Sequence, residues 1–158
     1  MLKRTALIAL TTAYLVLGME AGVAQNEVVE WSSSADNEAA TLVYGTKSDN
    51  TPEMDTYFYL RCSKRPLSVT LEISETLRFE ERPLRIELSV GQARVAIPAK
   101  VGTDDAEGRI LAENVELQPA LRVLSAKGAL NIRIGFKTMT LPEKNRLPEV
   151  AKFGRGCR

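Results

Sequence analysis

Histidine is missing from all 158 residues, and that absence excludes more chemistry than any other feature of the chain. Without an imidazole there is no serine or cysteine triad of the usual kind, no zinc site of the commonest type and no default general base at neutral pH. The sequence also lacks a nucleophile elbow, an S-x-x-K pair, a P-loop and a dinucleotide fingerprint. Neither sign of charge is in excess, with 21 Lys plus Arg against 20 Asp plus Glu, so bulk electrostatics gives no reason to expect nucleic acid or a lipid surface as partner. Internal repeats, low-complexity tracts and heptads are absent. Tryptophan is limited to Trp31 and cysteine to Cys62 and Cys157.

One long uncharged run is present, from Thr5 to Met19, rich in Leu, Ala and Val and preceded by Lys3 and Arg4. The run falls short of the roughly 20 apolar residues of a membrane span, and Gly22-Val23-Ala24 follows with small residues where a signal peptidase reads. These features predict a signal peptide over 1–24, cut after Ala24, and a single domain over 25–158. The expected localisation is periplasmic or secreted, with no stable membrane anchor after signal removal; a retained anchor is the alternative. In an oxidising compartment two cysteines most simply form one bridge, Cys62 to Cys157. An intermolecular or reactive-thiol role is the other possibility.

Period-two alternation dominates the rest. Leu67, Val69, Leu71 and Ile73 alternate with polar residues, as do Leu84, Ile86, Leu88 and Val90, and Leu130, Ile132, Ile134 and Phe136; each set predicts a half-buried antiparallel strand. Further strands are expected over 39–44, 57–62, 93–97 and 109–115, with 26–31 a short first strand or an N-terminal arm and 137–141 a partner or continuation of its predecessor. Phe58, Leu60 and Cys62 should share one face, and Tyr57, Tyr59 and Arg61 the other, in a central strand covered on both sides. Ser32 to Asn37 reads as a polar turn, Gly91-Gln92 as a hairpin turn, and Pro98 as a strand end or edge. Late in the chain the period changes, predicting short helices over 118–127 and from Pro148 to Gly154. The fold class expected is α+β, mainly β: an antiparallel β-sandwich or curled sheet with two short C-terminal helices.

Several features carry possible chemistry. Glu80-Glu81 and Asp104-Asp105 are carboxylate doublets, and a pair of acids across a cleft is what glycoside hydrolysis needs; neighbours in a strand, however, face opposite ways. The acidic loops Asp104 to Gly108 and Asp49 to Asp55 lack the spacing of an EF-hand. No metal, cofactor or catalytic residue is therefore assigned. Trp31, Tyr44, Tyr57 and Tyr59 make the best case for a binding surface, because aromatics with a polar tip are enriched at interfaces; covering the second face of the sheet is the competing explanation. Lys144, Arg146, Lys152, Arg155 and Arg158 make the tail basic, which fits an anion site or the outer face of a terminal helix.

With those residues in view, the chain resembles a family of uncharacterised exported proteins, chiefly alphaproteobacterial. The resemblance rests on Trp31, on Leu42-Val43-Tyr44-Gly45 leading to Ser48-Asp49, on the strand ending at Cys62, and on the closing Ala151-Lys152-Phe153 and Cys157. More distantly, this layout is similar to the invasion-associated locus B group and to periplasmic accessory proteins of type VI secretion. What the resemblance implies is a periplasmic β-rich fold with one disulfide and no catalytic residue to transfer. The expected function is a non-enzymatic binding protein, an inhibitor or envelope-associated factor, recognising a protein or cell-envelope component through Trp31, Tyr44, Ser48, Asp49, Tyr57 and Tyr59. The alternative is a carboxylate-dependent hydrolase acting on an envelope polymer.

Overall fold

A computed structural model describes residues 28–46, 56–74, 84–102 and 109–158. The expected signal peptide over 1–24 lies outside the described residues, as do Ser48, Asp49 and both carboxylate doublets. The described elements run β1 (Val29–Ala35), β2 (Ala39–Thr46), β3 (Thr56–Lys64), β4 (Leu67–Ser74), β5 (Leu84–Val90), β6 (Ala93–Val101), β7 (Arg109–Ala112), α1 (Leu117–Leu124), β8 (Leu130–Ile134), β9 (Lys137–Leu141) and α2 (Arg146–Gly156). All strands pair antiparallel in one sheet of order β1-β2-β3-β4-β7-β6-β5-β8-β9. The fold is α+β and mainly β, a single curled sheet with two short helices.

Alternation explains most of the register. β4 buries Val69, Leu71 and Ile73, β5 buries Ile86, Leu88 and Val90, and β8 buries Leu130, Ile132 and Ile134. A slip of one residue would turn each set to water, so one-sided burial locks the pairing. Two hairpins turn at Gly91-Gln92 and Gly135-Phe136, where Gly91 and Gly135 adopt positive φ of 56° and 59°, as the first position of a type II′ turn demands. α1 packs on β5 and β6 through Ala120, Val123 and Leu124, and α2 packs on β1 and β2 through Val150 and Phe153.

The curl brings the two sheet edges toward each other. Trp31 on edge strand β1 donates its indole N–H to the carbonyl of Pro142, 2.8 Å away, just after edge strand β9. Alongside, Ser33 of β1 donates to Glu149 of α2 at 2.6 Å. Gly156 then lets the end of α2 come close: a Cβ there would stand 2.6 Å from that of Ala35 and 3.2 Å from that of Ala40. The next residue, Cys157, bonds to Cys62 with the Cα atoms 5.8 Å apart. Ninety-five residues separate the two in sequence, a loop whose closure is worth about 4–5 kcal/mol in the chain-entropy model.

Other expectations need correction. Ser32 to Ala35 are not a turn but the second half of β1, because pairing with β2 satisfies their backbone while Ser34 shares a 2.7 Å hydroxyl bond with Thr41. The turn itself is Asp36 to Glu38, closed by the Asp36 carboxylate accepting the N–H groups of Glu38 and Ala39 at 2.7 and 2.8 Å; those bonds hold Asp36 below the ordinary carboxylate range. Of the two readings of Pro98, the strand end is wrong, since β6 continues to Val101, while the edge reading fits. Pro98 faces Arg85 of β5 on one side, and β7 joins the other side only from Lys100 onward, so no partner asks for its missing N–H. Phe136 is not on the buried face but at the hairpin tip, 89% exposed. β3 is central but covered on one face only, with Tyr57 and Arg61 exposed and Tyr59 half-buried. α2 begins at Arg146, two residues before Pro148, since a proline in the first turn removes no helical bond.

Candidate functional site

The strand register gives the molecule two unlike ends. Cys62, Val69, Ala112, Val90 and Leu130 lie toward one, where α1 is entered from β7 and left toward β8, and where α2 closes on the disulfide. This is the stapled end. Val29, Thr46, Thr56, Ser74, Leu84, Val101 and Arg109 lie at the other, the distal end. The described residues that flank 47–55, 75–83 and 103–108 all sit there.

Exposed apolar side chains follow the same division. Among the exposed large apolar residues that are described, Val28, Val29, Tyr57, Val101 and Phe136 are at the distal end, and Leu67, the first residue of β4, is at the stapled end. Scattered surface apolar residues need no explanation, but their gathering at one end does. The stapled end hides its own apolar residues under two helices. The distal end has no described helix over it.

An aromatic cluster supports this end from beneath. Trp31, Tyr44 and Phe58 are direct neighbours in the register of β1, β2 and β3, and the Trp31 ring centroid lies 5.1 Å from that of Tyr44 and 5.3 Å from that of Phe58. Trp31 is 2% exposed and Phe58 wholly buried. Between Tyr44 and Gly45 the pairing slips by one residue, and Tyr57 is the extra residue on β3. A bulge re-aims a side chain. Here it sets the Tyr57 ring 6.2 Å from that of Tyr44 although Tyr57 adjoins buried Phe58 in sequence. Burial, with Tyr57 as a lesser contribution, pushes the Tyr44 phenol above its ordinary value.

The aromatic residues singled out from sequence thus separate into roles. Tyr44 is half-buried and Tyr57 exposed, and their rings lie together toward the distal end; Trp31 belongs to the core beside them. Tyr59 faces Val43 and Glu72 in the register, on the other side of the sheet, and does not join them.

Sequence reasoning missed Arg146, which it counted with the basic tail. Its guanidinium is fully buried and donates from Nε to the Leu124 carbonyl at 3.0 Å and from Nη2 to those of Ala126 and Gly128 at 2.6 and 2.7 Å. Gly128 in turn donates its N–H to Glu143. Burial pulls Arg146 below its usual value while Glu143 opposes the shift. The group holds the exit of α1 and is structural. Glu149 is likewise engaged: burial raises it, but bonds from Lys152 and Ser33 leave it below its ordinary value. Among the described residues no three acids or cysteines come together as a metal would require.

Comparison with protein-family models, with curated proteins and with solved structures found no match to this chain.

Proposed function

We propose that the chain is an exported, non-enzymatic binding protein whose distal end recognises a partner protein in the envelope compartment. The observation that carries this reading is the concentration of Val28, Val29, Tyr57, Val101 and Phe136 at that end, beside the Tyr44–Tyr57 pair. Protein interfaces are built from such material: an apolar patch with aromatic anchors that bury a ring and keep a polar tip for hydrogen bonding. Export is supported by the disulfide, which persists in oxidising compartments, together with the leader expected over 1–24.

The test is affinity capture from periplasmic extract with the oxidised wild-type chain and with Tyr57→Glu, which puts a charge in the patch. Wild type should retain a partner that the variant loses. Equal retention by both, with the variant's melting temperature unchanged, overturns the assignment of the surface.

A further inference from the structure

A second feature lies at the stapled end, away from the proposed protein-binding surface. α1 and α2 run antiparallel there, since Arg146 at the start of α2 bonds to Leu124 at the end of α1. Between the later turns of α2 and the face of α1 is a groove of about 310 Å³, within the size range of small-molecule sites. Its lining is mixed: Leu117, Leu121, Val150 and Ala151 are apolar, and Gln118 and Ser125 are polar. Gly154 lines it without a side chain: a Cβ at that position would make an ordinary contact, 3.6 Å, with Leu121, so a larger side chain is needed to obstruct the groove.

The groove also has cationic side chains, Arg155 and Arg158, and no Asp or Glu side chain lines it. Among the described residues neither arginine forms an ion pair or a side-chain hydrogen bond, although Lys100, Arg109, Arg133 and Lys152 each have a carboxylate partner. The antiparallel arrangement brings these arginines, late in α2, toward the first turn of α1.

We propose that this groove binds an anionic amphiphile carrying one acyl or alkyl chain, its carboxylate or phosphate on Arg155 and Arg158 and its chain against Leu117, Leu121, Val150 and Ala151. The site combines apolar side chains with two arginines, as such a molecule combines a chain with an anionic head. Arginine at a helix C-terminus also complements the helix dipole, but that pairing does not account for the groove with apolar side chains beside it.

The test titrates decyl phosphate and decanoate, below their micellar concentrations, into the full disulfide-bonded chain by calorimetry. Decyltrimethylammonium and inorganic phosphate serve as controls. Saturable binding at one site per chain is expected for an anion and not for either control. Decyl phosphate alone assigns a phosphate ester, decanoate alone a free fatty acid, and both the shared chemistry. Arg155→Gln/Arg158→Gln should weaken binding about tenfold or more, the loss of one or two charge-assisted bonds. Gly154→Leu should abolish it by filling the groove, with folding confirmed by the melting temperature of the free protein. Absence of saturable binding, affinity untouched by the arginine substitutions, or equal binding of the cationic amphiphile would each overturn the proposal.

Discussion

Trp31 has two bonds to the fold that a surface tryptophan lacks: its indole N–H is held by the Pro142 carbonyl, and its ring is enclosed by Tyr44 and Phe58. Iodide should therefore quench its fluorescence several-fold less in the native protein than in urea, and equal quenching in both would place the ring in solvent. Arg146 is the other residue on which the core depends. Replacing it with Met removes three donors and strands the carbonyls of Leu124, Ala126 and Gly128. The expected loss is about 3 kcal/mol in urea unfolding, with little rescue by Lys, whose single ammonium cannot span the three acceptors; a change under about 0.5 kcal/mol would contradict that role. Neither environment was legible residue by residue. The choice for Trp31 between interface and core depended on which strand faced it. Arg146 lay among four other cations, and nothing in its neighbourhood marks it as the one turned inward.

At the scale of the element, legibility followed burial. β4, β5 and β8 could be read because one face of each is buried and the apolar residues fall on alternate positions. The second half of β1 could not, because three serines carry no such contrast and owe their strand geometry to β2. Nor could the Tyr57 bulge, which breaks the alternation that reading a strand assumes. The start of α2 was placed late because proline marks a first turn without saying which of its positions it fills. The contact between α2 and β1 is also sensitive to pH. Glu149 is depressed below 4.5 in the folded protein by its bonds to Lys152 and Ser33. A lowered carboxylate contributes stability that is fully present above its unfolded value and is lost as pH falls through the folded one. Melting temperature should therefore fall as pH drops from about 4.5 through that lower value, and Glu149→Gln should flatten this part of the profile. An identical profile in the variant would remove Glu149 from the linkage.

For the whole molecule, what the alternating segments, the cysteine pair and the late helices implied about architecture was the fold class; a single curled sheet, and not a sandwich, is the form it takes. What they could not imply was polarity. The division into a stapled and a distal end depends on register across nine strands, and no local pattern encodes which hairpin tips share an end. That polarity has a physical consequence. A disulfide and two packed helices close one end, while Tyr57 and Phe136 are exposed at the other. The most direct measurement is photo-crosslinking in cells with benzoylphenylalanine in place of Tyr57, and, as the matched control, in place of Leu67, an exposed apolar residue at the stapled end. A specific crosslinked partner from position 57 and none from position 67 is the expected result. Crosslinks from position 67 alone, or none from position 57, would contradict the distal end as the binding surface.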